Sequence, residues 1–384
     1  MAERFDYGLN ASATIFDGFH KYIRITDIDE DLRHFDESNL TSPNIDYTNA
    51  DDYLLKQGDI LFARTGASVG KSYIHRNNDD LVYFAGFLIR ARFSDKYSSD
   101  FIFQNTLSDK YNTFIKIMSQ RSGQPGVNAQ EYASYSLSVP SFEEQTRIGT
   151  FFHTLDTAIA LHQRKLDGLR RLKKAYLQQM FPQDSERVPR VRFDGFEGEW
   201  VKRKLGEVFV QTVEFINPKE SNIELWSLTI EKGLTPKTER YNREFLVKKE
   251  DAFKVVMPNE FIYNPMNMTF GAVDLNNTGK KVAVSGYYIT MKTRKHHCNQ
   301  YFSMWLKSPN AISLYKIYAT GGLREKQRVQ FPTLSDIETI MPYFEEQQAI
   351  GNFFRNLDKQ ITIQQIKIDS LKQLKTAYLQ KMFV

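Results

Sequence analysis

Two stretches of the chain place apolar residues at alternating steps of four and three, the spacing of one face of a long helix. In the first the stripe is Ile148, Phe152, Leu155, Ile159, His162, Leu166, Leu169, Lys173, Tyr176 and Met180. In the second it is Ile350, Phe354, Leu357, Ile361, Gln364, Ile368, Leu371, Lys375, Tyr378 and Met382. Each stripe is broken at the same two places, His162/Gln364 and Lys173/Lys375, and polar residues inside such a seam cost stability and fix register. Each predicted helix follows a proline, Pro140 or Pro342, and carries two glutamates in its first turn, which suit the positive end of the helix dipole. Pro182 ends the first one. A helix of about 38 residues is roughly 57 Å long. A stripe of that length cannot stay in water, so the two helices are expected to pair, antiparallel, with a globular domain at either end. The plainer alternative is that each helix packs on its own domain as ordinary core, but heptads sustained this long favour pairing.

The stripes sit inside a repeat. Pro140-Ser-Phe-Glu-Glu-Gln-Thr-Arg-Ile-Gly-Thr-Phe-Phe-His-Thr-Leu-Asp156 recurs as Pro342-Tyr-Phe-Glu-Glu-Gln-Gln-Ala-Ile-Gly-Asn-Phe-Phe-Arg-Asn-Leu-Asp358. The match runs without a gap to Ala175-Tyr-Leu-Gln-Gln-Met-Phe181 and Ala377-Tyr-Leu-Gln-Lys-Met-Phe383. About 24 of 42 aligned positions are identical, at a spacing of roughly 202 residues. The stretches before each copy are far less alike yet share landmarks. Gln57-Gly58-Asp59-Ile60-Leu61-Phe62 lies opposite Pro258-Asn259-Glu260-Phe261-Ile262-Tyr263, each a turn followed by a β-prone run. Phe84-Ala85-Gly86-Phe87-Leu88-Ile89 lies opposite Val284-Ser285-Gly286-Tyr287-Tyr288-Ile289. The resulting plan is a first domain over 1–141, a first repeated helix over 142–181, a linker over 182–199, a second domain over 200–342 and a second repeated helix over 343–384. The fold class is α+β: two globular domains with β-sheet cores, separated by a pair of long antiparallel coiled-coil helices.

Composition narrows the picture. The 384 residues are 41% hydrophobic and 25% charged, as in a soluble globular protein, and contain no run of about eighteen apolar residues that would span a membrane. The opening Met1-Ala2-Glu3-Arg4-Phe5-Asp6 is unlike a secretory signal, so a cytoplasmic protein is the simplest expectation. The single cysteine, Cys298, excludes an internal disulfide and a cysteine-based metal cluster. The net charge of +5 is mild. It divides into roughly −5 for residues 1–141 and roughly +5 for 182–342, so a phosphate-binding surface in the first domain has to be a local patch.

Four motifs suggest chemistry and fall short of it. Gly66-Ala-Ser-Val-Gly70-Lys71-Ser72 resembles a phosphate-binding P-loop but has three residues between its glycines where four are needed. Asn264-Pro265-Met266-Asn267 lacks the second proline and the aromatic ring of the adenine-methyltransferase motif. His296-His297-Cys298 are adjacent and cannot converge on one metal. The acid run Asp27 to Asp31 reads as a solvated loop before it reads as a metal-dependent nuclease site. No nucleophile–base constellation stands out, so the chain is expected to be non-catalytic and to hold neither metal nor cofactor.

The whole layout resembles the specificity subunit of a Type I restriction–modification system. The carriers are the Pro-x-Phe-Glu-Glu-Gln-x-x-Ile-Gly-x-Phe-Phe blocks at 140–152 and 342–354, the Leu-Lys-x-Ala-Tyr-Leu-Gln-x-Met-Phe endings, and the lead-in Trp200-Val-Lys-Arg-Lys-Leu-Gly206. The resemblance implies that each variable domain reads one half of a split target in double-stranded DNA from the major groove. It implies that the paired helices set the gap between half-sites and dock two modification subunits, which methylate adenine with S-adenosylmethionine, while restriction subunits complete the nuclease. S-adenosylmethionine, ATP and Mg are then expected in the partner subunits. The alternative is a coiled-coil scaffold that binds only proteins. The first domain lacks a counterpart of the lead-in Trp200 to Val208, so the resemblance further implies that this domain is shortened or recombined, or that the natural start lies upstream.

Reading base edges needs forked donors and acceptors, and phosphate contacts need Lys, Arg and backbone amides. In the first domain the candidates for DNA contact are Arg64, Lys71 and the loop residues Arg121, Gln124 and Asn128. In the second they are Lys280, Lys281, Lys292, Arg294, Lys295 and the loop residues Arg324, Lys326 and Arg328. Polar positions repeated along with the seam, Glu143/Glu345, Gln145/Gln347, Gln163/Gln365 and Asp167/Asp369, are candidates for partner docking, with helix capping and solubility as the plainer alternative.

Overall fold

The computed structural model describes residues 1–77, 80–120, 123–183, 186–217, 223–237, 253–321 and 327–383. The chain forms two compact units, and their limits differ from the segments read in the sequence. Unit 1 is Met1–Lys165 with Gln364–Val384, and unit 2 is Leu166–Ile363. Each unit therefore takes in one globular domain together with a part of both long helices.

Unit 1 is built on an antiparallel four-stranded sheet in the order Ala2–Tyr7, Leu88–Phe93, Ile60–Ala63, Ser72–Ile74. The inner strand Ile60–Ala63 is buried throughout and carries no charge, as a strand covered on both faces requires. Three short helices follow, Ser99–Asn105, Asp109–Met118 and Ala129–Ala133. Their N-termini are fixed locally, because Ser98, Ser108 and Asn128 each accept a hydrogen bond from a backbone N–H of the first turn.

Unit 2 repeats this frame. Its four-stranded sheet runs Phe209–Thr212, Ile289–Thr293, Phe261–Tyr263, Val273–Leu275. The helices Asn299–Trp305, Pro309–Tyr318 and Phe331–Asp336 follow in the same order. Unit 2 adds a sheet of Phe215–Ile216, Phe253–Val256 and Val282–Ser285. It also has a two-stranded pairing of Val201–Lys204 with Glu338–Met341.

The long helices are Phe142–Gln179 and Phe344–Met382. Within each unit the two helix segments run antiparallel, and one set of contacts occurs in both units with every residue number displaced by 202. In unit 1, Phe151 meets Tyr378 edge-on at 5.0 Å and Lys375 Nζ reaches Asp156 at 2.6 Å. In unit 2, Tyr176 meets Phe353 edge-on at 5.0 Å and Lys173 Nζ reaches Asp358 at 2.5 Å. The polar seam positions thus find each other's helix: His162 Nδ1 lies 2.7 Å from Gln364 Oε1, and each seam lysine bonds an aspartate.

The expected stripe is otherwise inward. Phe152, Ile159, Leu166, Met180, Ile350, Phe354, Leu357 and Ile368 are all buried. Met382 is a correction: it is 40% exposed, and the neighbouring positions Leu379 and Phe383 are the buried ones. Phe383 sits 5.1 Å from Phe101 and 5.8 Å from Phe152, so the last turn rotates to face the globular core rather than the other helix.

Candidate nucleic-acid interface

In unit 1 the turn leaving the inner strand is stitched to the loop ahead of the third short helix. Val127 N donates to the Arg64 carbonyl at 2.9 Å, and Gly66 N donates to the Pro125 carbonyl at 3.0 Å. Unit 2 makes the same stitch, with Val329 N donating to the Pro265 carbonyl at 2.9 Å. Each unit therefore brings two loops and the nearby glycine turn, 86–87 or 286–287, to one end of its main sheet.

What these shared loops carry differs. In unit 1 the Arg64 guanidinium lies over the Tyr7 ring at 5.0 Å and near Phe87 at 5.9 Å. Phe87 is 60% exposed and Tyr7 is exposed too. Gln124 is exposed beside Gly66, which is held at φ 76°. In unit 2 the corresponding turn presents exposed Tyr287, with exposed Met266 and Phe270 on or beside the stitched loop, and Arg328 is exposed. Arg121, Arg324 and Lys326 lie outside the described residues. The aromatics Tyr7, Phe87 and Tyr287 do not appear among the sequence-derived candidates. The glycine turns that hold Phe87 and Tyr287 were legible as landmarks, but nothing in the sequence showed that their rings face outward.

The structure divides the other candidates. Lys280, Lys281, Lys292, Arg294 and Lys295 are all exposed. Strand register places Tyr263 opposite Ile289 and Phe261 opposite Met291, so Lys292, still within its strand opposite Val210, and Arg294 and Lys295 beyond it lie at the end of the sheet away from the stitched loop. Arg294 Nε there donates to the Gly206 carbonyl at 3.4 Å. Lys280 pairs with Glu224 at 2.7 Å, and its ammonium lies 5.9 Å from the centre of the Trp226 ring. Asn128 is the cap of the helix Ala129–Ala133: it accepts from Glu131 N at 2.9 Å, and Glu131 Oε2 accepts from its own N–H at 2.8 Å.

Lys71 is only 5% exposed. Its ammonium donates to the Ile28 carbonyl at 2.7 Å and meets Glu30 at 2.6 Å, so it is committed inside the domain instead of facing a phosphate. That geometry also accounts for the P-loop-like stretch and the acid run together. Glu30 neutralises Lys71, Asp27 pairs with Arg24 at 2.8 Å, and Asp31 meets Lys372 at 2.9 Å. The Lys372 hydrogen bond holds the Asp31 carboxyl below the usual carboxylate range. Among the described residues no group of three or more His, Cys, Asp or Glu side chains could hold a metal ion. No described helix is long and apolar enough to cross a membrane.

Of the docking candidates, Gln145 and Gln347 have an internal role. Both are buried. Gln145 Oε1 accepts from Ser98 N at 3.2 Å while its Nε2 donates to the Pro140 carbonyl at 2.9 Å. Gln347 accepts from Cys298 N at 3.0 Å and donates to the Pro342 carbonyl at 2.9 Å. One helical turn further, Gly149 and Gly351 let the same helix face approach the first short helix. A Cβ on Gly149 would lie 2.9 Å from Phe101 N, and one on Gly351 would lie 2.7 Å from Tyr301 N. The repeated Glu-Glu-Gln-x-x-Ile-Gly sequence is thus a clamp between helix and domain. Gly149→Ala and Gly351→Ala should each destabilise the chain by about 1–3 kcal/mol through overpacking. Gly168→Ala, with nothing within 4 Å of its Cβ, should stabilise it by roughly 0.5–1 kcal/mol. Thermal denaturation of the three variants checks this, and equal melting temperatures would remove the clamp.

The remaining docking candidates are on outward faces. Glu143 pairs with Arg147 at 2.7 Å, and Gln365 donates to Asp369 at 3.1 Å, both one helical turn apart. Asp167 lies 3.9 Å from Arg170, Glu345 is exposed, and Gln163 is half-buried.

The two stitched-loop domains and their repeated helices have counterparts among known proteins. Residues 9–171 and 197–373 match the Type I restriction modification DNA specificity domain, and the chain belongs to that family. A curated relative, the type I restriction enzyme MjaX specificity subunit of Methanocaldococcus jannaschii, is 21% identical over 84% of this chain and 77% of its own length. The crystal structure of a Type I restriction–modification S subunit from M. genitalium superposes over 99% of this chain and 93% of that one, with a TM-score of 0.64 at 12% identity. The HsdS subunit of Thermoanaerobacter tengcongensis covers 99% and 96% at 17% identity, with a TM-score of 0.43. The protein is a Type I specificity subunit, of a family that recognises DNA targets and is generally non-catalytic.

Proposed function

We propose that the chain reads a bipartite target in double-stranded DNA, one half-site for each unit. The observation that carries this reading is one frame with two surfaces. The stitched loops and the glycine turn are the same in both units, while the exposed side chains on them, Arg64, Gln124 and Phe87 against Arg328, Met266 and Tyr287, are different. A reader diversified for two sequences needs that combination: shared backbone to position, different side chains to specify. The repeated helix faces serve two copies of one modification subunit, since identical surfaces suit identical partners. Glu143, Gln163 and Asp167 with Glu345, Gln365 and Asp369 are the docking positions proposed on those faces, and the buried Gln145 and Gln347 are left out of the proposal. Adenine methylation with S-adenosylmethionine, and cleavage with ATP and Mg, belong to modification and restriction partners.

Arg64 is the side chain on which the DNA contact is best tested, because Tyr7 and Phe87 hold its guanidinium in place without a carboxylate partner among the described residues. Arg121, Arg324 and Lys326 stay in the proposal from the sequence alone, with Arg328 and the outlying Lys280, Lys281, Lys292, Arg294 and Lys295 as phosphate contacts. In complex with modification subunits, Arg64→Ala should weaken specific DNA binding by about 1–3 kcal/mol and relax one half-site only. Fluorescence anisotropy over a salt series measures it. Unchanged affinity at every salt concentration would remove Arg64 from the surface, and an absence of salt-dependent DNA binding by the wild-type complex would favour the scaffold reading.

A further inference from the structure

The stitch in unit 1 holds a guanidinium and a carboxamide on two neighbouring loops, in fixed relation to each other. Thr65 and Gly126 form an antiparallel bridge, flanked by the bonds from Gly66 N to the Pro125 carbonyl and from Val127 N to the Arg64 carbonyl. Arg64 is further tied by its own N–H, which donates to the Phe87 carbonyl at 3.0 Å. On the other loop, Pro125 narrows the backbone freedom of Gln124. The Gln124 carboxamide lies across Gly66, where an added Cβ would stand 3.2 Å from Nε2 and where a φ of 76° suits glycine. Among the described residues, neither the Arg64 nor the Gln124 side chain makes a hydrogen bond or an ion pair.

The chemistry of the two groups selects different bases. The Tyr7 and Phe87 rings, 5.0 and 5.9 Å from the guanidinium, take up its face and leave its edge, where paired N–H groups point the same way. In the major groove guanine alone presents two acceptors side by side, O6 and N7, to match that fork. A carboxamide offers one donor and one acceptor, the complement of adenine N7 and its N6 amino group. The exposed Tyr7 and Phe87 rings beside the guanidinium suit base edges and thymine methyl groups better than a phosphate. In unit 2 the equivalent bond, from Val329 N, ends on Pro265, so a proline stands where unit 1 has Arg64. Proline has no side-chain donor, and the fork is therefore a feature of unit 1 at this position.

We propose that the half-site read by unit 1 contains a guanine held by Arg64 and, one or two base pairs away, an adenine held by Gln124, both contacted in the major groove. The spacing follows from the stitch. Residues paired across a bridge stand about 5 Å apart, and successive bases are roughly 3.4 Å apart along the duplex. The inference rests on the reading of unit 1 as a DNA-reading surface and adds which bases that surface selects. Gly66 is a positioning residue in this account, because it makes room for the Gln124 carboxamide.

Selection from a library of randomised DNA duplexes, by the full chain in complex with modification subunits, tests it by sequencing what is bound. The Arg64→Ala complex should lose preference for one guanine by at least about fivefold, and the Gln124→Ala complex should lose preference for one adenine within two base pairs of it. Every other position should stay as in the wild type. The half-site of unit 2, unchanged in the same molecules, shows that the variant complexes are assembled. Uniformly weaker binding by Arg64→Ala with a shallower salt dependence makes it a phosphate contact and overturns this inference alone. Relaxation at a base other than guanine for Arg64→Ala or adenine for Gln124→Ala, or at positions far apart, does the same. A wild-type complex that enriches no bipartite motif overturns it together with the reading on which it rests.

Discussion

Phe354→Ala should remove about 3–5 kcal/mol from the stability of unit 2, and Phe152→Ala should do the same to unit 1. Both rings are 0% exposed and occupy the same place in the repeat. Phe354 stacks on Phe181 at 6.1 Å within the main core of unit 2, which also contains Trp200, Tyr301 and Trp305. Phe152 lies against Phe383 in a core that contains Phe101 and Tyr132. Each ring is the point where a long helix enters a globular core, so its loss leaves a cavity that neither side can close. A chain of two units is not bound to unfold in one two-state transition, so each unit is followed separately. Hydrogen exchange resolves the outcome: Phe354→Ala should cut protection chiefly in Leu166–Ile363, and Phe152→Ala in the remainder. A loss below about 1 kcal/mol in both, or an equal effect on both units, would mean that the helix faces are not core.

The second large effect separates two residues that the repeat makes equivalent. Arg192→Ala should destabilise unit 2 by about 3 kcal/mol or more, because it strands the Glu346 carboxylate, which is buried, without a partner. The hydrogen-bonded Glu346 raises the proton affinity of the Arg192 guanidinium, as a closed pair should. Glu144→Ala, at the aligned position of the first helix, should change stability by under about 0.5 kcal/mol, since that carboxylate already faces water. Urea denaturation followed by hydrogen exchange compares the two. Similar losses from both would contradict the asymmetry between the units, and no loss from Arg192→Ala would mean that the pair contributes nothing.

Much of this architecture is legible in the sequence, for a physical reason. A seam that must stay dry over ten turns leaves a periodic record, and a duplicated seam leaves it twice. His162 and Lys173 could be singled out as breaks in the stripe, but their partners could not. Lys173 bonds Asp358, an aspartate off the seam of the other helix, and only antiparallel packing makes it a neighbour. Met382 shows the opposite limit: the heptad continues through it, but the core turns the last helical residues toward Phe101.

The site was less legible than the frame. Composition marks Arg64 and Lys71 alike as basic residues near a glycine turn. One lies over exposed rings, and the other is buried against Ile28 and Glu30 from a loop forty residues earlier. Gln145 and Gln347 were read as surface polar positions because glutamine usually is one. Their burial goes with the two backbone N–H groups, of Ser98 and Cys298, that donate to them and that no sequence pattern announces. The exposed aromatics were invisible for the same reason, since an aromatic beside a strand reads as core until the fold shows which way it faces.

The central claim is that two different surfaces on one repeated frame read two different DNA half-sites. Co-expression of the chain with modification subunits, followed by genome-wide mapping of methylated adenine, tests it most directly. The account predicts one bipartite motif with an unread gap, and an Arg64→Ala chain that relaxes one half and leaves the other intact. A single continuous motif, or methylation that ignores the identity of this chain, would contradict it.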